Sequence, residues 1–137
     1  MKNLLNVIAG LRHWQKQQQS EGHSVTHRCL EAVRACCHAE GLELPPSVGH
    51  ADTALDCFEN LEADPRKWGW FQIHHDAIGT LETPCLVFYG DCGTLPDGRK
   101  AGHIGLLGAD AIIHSNQDYK VTPWWNDRLK GAFTPLG

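Results

Sequence analysis

Apolar positions recur every three or four residues near the start of the chain, at Leu4, Ile8, Leu11 and Trp14, with polar residues between them. That period predicts an amphipathic helix, followed by a polar linker from Gln17 to Gly22. A second helical stretch runs through HSVTHRCLEAVRACCHAEGLELPP, with Leu30, Val33 and Cys37 on one stripe and Cys29, Val33 and Cys36 sharing a face. Ser24 or Thr26 is its N-cap candidate, Gly41 its stop, and Pro45-Pro46 follow. It is expected to be a central, well-packed helix. A third helix is expected from about Asp52 to Leu61, with Ala54, Leu55, Phe58 and Leu61 inward and Asp64-Pro65 ending it.

Beyond these helices the pattern becomes that of strands. PCLVFYG, residues 84–90, is a short apolar strand, and DCGTLPDGRKAG is a turn-rich loop after it. In AGHIGLLGADAIIHSN, residues 101–116, His103 to Leu107 is strand-like, Gly108-Ala109-Asp110 turn-like, and Ala111 to His114 a second strand. This is a β-hairpin with a histidine at each end. The residue that opens its first strand should face the one that closes its second, so His103 and His114 are expected as cross-strand neighbours, Cβ atoms roughly 5 Å apart. The tail TPWWNDRLKGAFTPLG predicts a loop and a last short strand or turn covering an edge. Helices first and strands second predict an α+β domain with N-terminal helices packed on a small antiparallel sheet.

Length adds that the 137 residues form one domain able to bury a core without disulfides or metal: residues 1–22 as N-terminal helix and linker, 23–137 as the core. The net charge of −4, with basic residues only in isolated pairs such as Arg66-Lys67 and Arg99-Lys100, speaks against nucleic acid or a membrane surface as partner. Asn3 and Asn6 interrupt the first apolar stretch and Arg12, His13 and Gln15 follow it, which is too short and polar for a signal peptide or a membrane span. The expectation is a protein made in the cytoplasm that reaches any outside target by lysis, a virion or a secretion system. Six cysteines, Cys29, Cys36, Cys37, Cys57, Cys85 and Cys92, form no CxxC pair, and most are expected as reduced core residues. A non-catalytic zinc-binding interaction domain is the alternative from another class. It needs four ligands at short paired spacings, which the sequence does not offer, so neither metal nor cofactor is expected.

The candidate chemistry centres on Cys29. With Thr26 as N-cap, its thiol falls in the first helical turn beside Arg28, where the helix dipole and the guanidinium should lower its pKa. A thiolate, an imidazole and a polar group on the far ring nitrogen suffice for attack on an amide carbonyl, and Cys29, His103 and His114 supply all three. Residue types alone leave Cys29 equally a nucleophile or a buried thiol. Trp70 and Trp124, with Arg28, are candidates for lining a substrate cleft, although these tryptophans, with Trp68 and Trp125, read more readily as core or rim packing. His50 and Asp56 lack zinc-peptidase spacing, and helix capping by the GHAD stretch is the better reading there; Asp91, Asp97 and Arg99 read as a solvated loop.

Several stretches together resemble the NlpC-type papain-like cysteine peptidases, relatives of the CHAP amidases and of secreted amidase effectors. Cys29-Leu30-Glu31-Ala32-Val33, with Ala39-Glu40-Gly41-Leu42-Glu43-Leu44-Pro45, is similar to the family's helix that begins at the catalytic Cys. Cys85 to Tyr89 is similar to the strand before its His loop, GHIGLLGADAIIHS to its His-bearing hairpin, and Pro123 to Arg128 with Gly131-Ala132 to its closing aromatic-Arg motif. The resemblance spans roughly residues 24–136 in the family's order. It implies a papain-like fold and cleavage of amide bonds in bacterial cell-wall peptides through a thioester. Cys29 would be the nucleophile, His103 the general base and then acid, and His114 the orienting third member. The peptidoglycan stem peptide would be the substrate, and an inhibitor or a delivery protein a further partner. The oxyanion would be held by the N–H of Cys29 and an upstream donor that the sequence does not identify.

The chain departs from the pattern where the family places Asp before the Cys and Ser-Gly after it; here stand Arg28 and Leu30-Glu31. The usual subsite for a stem-peptide amine is therefore in doubt. The hairpin turn is also about one residue tighter, which makes Asn116 or Ser115 the alternative third member. Transfer of the thioester to another acceptor, or deamidation, would use the same residues as hydrolysis.

Overall fold

Asn3 starts the first helix by accepting a hydrogen bond from the Leu5 N–H at 2.8 Å. The computed structural model of the chain describes residues 3–46, 53–74, 84–90, 93–94, 98, 101–121 and 127–136. Helix α1, Leu4–Ser20, buries Leu4, Val7, Ile8 and Leu11 as the spacing requires. It runs on through Gln17 to Ser20, where a linker was expected. Glutamine is a good helix former, and Gln15 and Gln18 also find partners outside the helix.

Helix α2, Cys29–Ala39, buries Leu30, Ala32, Val33 and Cys37. Gly41 ends it in the left-handed region at φ 78°, with the Gly41 N–H on the His38 carbonyl and the Leu42 N–H on the Cys37 carbonyl. This Schellman arrangement satisfies two carbonyls that the last turn leaves open. The N-terminus differs from expectation: Arg28 takes the N-cap position without a side-chain cap bond, while the Ser24 hydroxyl accepts from the Thr26 N–H instead. Helix α3, Ala54–Ala63, is capped by Thr53, whose hydroxyl accepts from the Asp56 N–H at 3.1 Å. Cys57 joins Ala54, Phe58 and Leu61 on its buried side, and Leu55, expected inward, is only half-buried. The GHAD stretch lies outside the described residues.

A 3-10 turn, Pro65–Trp68, leads into a six-stranded sheet. Its strands are β1 (Trp70–Ile73), β2 (Cys85–Tyr89), β3 (His103–Leu107), β4 (Ile112–His114), β5 (Tyr119–Lys120) and β6 (Leu129–Pro135), in the order β1-β6-β2-β3-β4-β5. All neighbours are antiparallel. The α+β class is as expected; the tail is not, because β6 lies between β1 and β2 instead of covering an edge. Its Gly131-Ala132-Phe133 run is buried, as an interior strand demands.

The pleat divides the sheet's side chains between two layers. Leu86, Phe88, Ile104, Leu106 and Phe133 join the helix side chains in the main core, and Phe58, Phe88 and Phe133 meet there with ring centroids 5.5 to 6.2 Å apart. Cys85, Val87, Tyr89, Ile113 and Ala132 form a second buried cluster on the opposite face. This division decides where each candidate side chain points.

Candidate active site

Cys29 is the first residue of α2, and its thiol lies against the main chain of Ile104 in β3. Burial is the largest influence on it and pushes the thiol above its ordinary value, while the N–H groups of Ile104, Leu30 and Cys29 itself pull the other way without prevailing. This corrects the expected lowering. Arg28 also fails to supply the charge anticipated from sequence, because its guanidinium is turned away and occupied. It stacks over Trp14 at 4.8 Å, donates to Gln18 Oε1 at 2.7 Å and the Ser24 carbonyl at 2.9 Å, and pairs with Glu31. Arg28 therefore ties α2 to α1, and its engaged fork is not offered to a cleft.

His103 opens β3 one residue before the strand position that receives the thiol. Gly102 lets β3 begin close against β2 and α3: its φ is 68°, and a Cβ there would lie 2.9 Å from the Tyr89 carbonyl and 3.1 Å from the Leu55 nitrogen. The imidazole is buried on the sheet face away from the helices, with Tyr119 at a centroid distance of 5.1 Å and Tyr89 at 6.4 Å. Burial pulls its pKa down to about 4, so the ring is neutral over the physiological range.

The expected pairing of the two histidines does not form. Gly108 N–H bonds the Ile112 carbonyl across a three-residue loop, which sets Leu107 opposite Ile113 and Leu106 opposite His114. Counting back along β3, His103 is three residues beyond the partner of His114, and the odd offset puts the two rings on opposite faces. The assumption that strand ends coincide fails because β4 has three residues and β3 five. His114 instead lies on the helix side, 1% exposed, between two carboxylates: Nε2 is 3.2 Å from Asp110 Oδ2 and Nδ1 3.3 Å from Asp118 Oδ1. Desolvation raises Asp110, but the Ile112 N–H and His114 outweigh it and leave the carboxyl below its ordinary value. Arg12 stands 3.6 Å from Asp110 and Gln15 Nε2 3.1 Å from Asp118, so His114 anchors the hairpin beneath α1.

Ser115 and Asn116, the alternative third members, are both buried and tied to main chain. Ser115 Oγ donates to the Ile104 carbonyl at 2.6 Å, and Asn116 Nδ2 to the Val25 carbonyl at 2.8 Å. They fasten the segment after β4 to β3 and to the approach to Cys29. Asn116 Oδ1 has no hydrogen-bond partner among the described residues. Trp70, a cleft candidate, is a core residue with no exposed surface, its indole N–H donating to the Glu43 carbonyl at 2.7 Å. Trp124, Trp125, Cys92, His50, Asp91, Asp97 and Arg99 lie outside the described residues.

The structure thus gathers Cys29, Ser115 and Asn116 around the main chain at Ile104, on the helix side, while the His103 ring, one residue earlier in β3, points to the opposite sheet face, and His114 and Trp70 lie apart from them. Tyr119 beside His103 carried no signal in the sequence, since a lone tyrosine in QDYK shows neither a strand face nor a partner. Among the described residues, no group of three or more His, Cys, Asp or Glu side chains could hold a metal ion, and no helix is long and apolar enough to cross a membrane. Comparison of the chain with protein-family models, with curated proteins and with solved structures gave no match.

Proposed function

We propose that the protein is a papain-like cysteine hydrolase of the NlpC type that cleaves amide bonds in peptidoglycan peptides, with Cys29 as nucleophile and His103 as general base. One observation carries this reading: the thiol at the N-terminus of α2 rests against Ile104, the neighbour of the histidine that opens β3. The NlpC-like motifs supply the substrate class.

Burial works against a resting thiolate–imidazolium pair. A thiol raised by burial and an imidazole lowered by burial are both neutral at rest, so His103 takes the proton as the sulfur attacks. That transfer needs sulfur and ring nitrogen within hydrogen-bond reach, directly or through one water. Attack on the carbonyl carbon forms the C–S bond and an oxyanion, to be received by the N–H of Cys29 and a further donor. The imidazolium then protonates the leaving amine as the C–N bond breaks. Water, deprotonated by the same ring, splits the thioester and restores the thiol.

The test is digestion of purified peptidoglycan of known stem-peptide composition by the wild-type protein and by Cys29→Ala, with fragments identified by mass spectrometry. Cleavage by the wild type alone is expected, and fragment masses would name the bond. Intact wall with selective labelling of Cys29 by a thiol-reactive probe would overturn the substrate. Intact wall with an inert Cys29 would overturn the enzyme.

A further inference from the structure

A histidine at the first position of a strand has two side-chain torsions to fix, and only its neighbours can fix them. The residue expected to do so, His114, points to the other sheet face and is engaged by Asp110 and Asp118. Around His103 the structure places aromatic rings instead. Tyr119 of β5 meets the imidazole edge to face, with centroids 5.1 Å apart and planes at 85°, and Tyr89, directly across from His103 in the β2–β3 pair, lies tilted at 35° and 6.4 Å. Edge-to-face contact restricts both ring rotation and water access.

We propose that Tyr119 is a positioning residue for His103: its ring, packed edge to face on the imidazole, holds the base in place and shields it from water, the role that a polar third member was expected to fill. The proposal rests on His103 being the general base. The low imidazole pKa agrees with an enclosed ring. Among the described residues, Tyr89 from β2 and Tyr119 from β5 face the ring, the Cys29 thiol of α2 lies against the neighbouring Ile104, and Lys130 of β6 packs on Gly90 beyond Tyr89.

The experiment follows the His103 ring resonances by NMR against pH, assigned by their loss in His103→Gln, in the wild type and in Tyr119→Phe, Tyr119→Leu and Tyr119→Ala. Tyr119→Phe keeps the ring and should leave the titration midpoint unchanged. Tyr119→Ala and Tyr119→Leu should raise it by at least one pH unit toward the ordinary histidine value. On peptidoglycan, both should lower kcat at least tenfold while KM stays within twofold. An unchanged midpoint in either folded variant would overturn the proposal, as would a Tyr119→Phe protein that behaves like Tyr119→Ala. If no form of the protein cleaves the wall, the hydrolase reading fails, while the midpoints still decide whether Tyr119 encloses His103.

Discussion

The imidazole of His103 makes the stability of the protein depend on acid and, on the proposed mechanism, its activity in the same direction. Its folded pKa of about 4 lies below the value of 6.5 expected in the unfolded chain. Between those two values the unfolded state binds the proton and the folded state does not, so unfolding gains as pH falls. The stabilisation is complete above pH 6.5, declines as pH drops toward 4, and amounts to about 3 kcal/mol over the whole window. Urea unfolding of the wild type and of His103→Phe between pH 4 and 7 should show this slope only in the wild type. On the proposed mechanism, the rate of peptidoglycan cleavage should fall in the wild type as pH drops through about 4, when His103 becomes protonated. A rate that falls already near pH 6.5 would mean that the titrating base is an exposed histidine and not this one.

At the scale of elements, α1 touches both sides of the candidate site. Its Trp14 and Gln18 hold Arg28, the residue before Cys29, and its Gln15 donates to the Ser115 carbonyl and to Asp118 beyond β4. Arg28 is the only one of these with a charge over an aromatic face, a contact of about 0.5–1 kcal/mol at a partly exposed site. A double-mutant cycle of Trp14→Leu and Arg28→Met, read by urea unfolding, should return a coupling energy of that size. Additive losses would mean that the stack contributes nothing. None of this coupling was visible in the sequence, although its parts were: the helical period foretold α1, and the Gly41 stop foretold the end of α2. Long-range partners, such as Gln15 with Ser115 one hundred positions away, leave no local pattern. The hairpin marks the same boundary. Its turn and strands were legible in GHIGLLGADAIIH, but its register depended on where β4 stopped, and one residue of error in that place exchanges the sheet faces of His103 and His114.

Across the whole molecule, the order of the sheet differs most from the order of the chain. The last strand, β6, pairs with β1 on one side and β2 on the other, so it fills an interior position one strand from the edge. Periodicity marks a strand without saying which strands flank it, and the tail was accordingly expected at an edge. The consequence is energetic. Phe133 of β6 is fully buried against Phe88 of β2 and Phe58 of α3, and it joins elements that are distant in sequence. Truncating such a ring costs about 3–5 kcal/mol, because the cavity left behind cannot fully close. Domains of this size have stabilities of about 5–15 kcal/mol, so Phe133→Ala should remove a large share and act on every element at once. Phe71, on the edge strand β1, is 49% exposed, and Phe71→Ala should stay within about 1 kcal/mol of the wild type. Urea midpoints followed in parallel by tryptophan fluorescence and by far-ultraviolet circular dichroism would check both values. With β6 inside the sheet, the two probes should report one coincident transition in Phe133→Ala, shifted far below the wild type. Two separated transitions would mean that the helices and β2–β5 hold together without β6, and that the tail is the covering edge its sequence suggested.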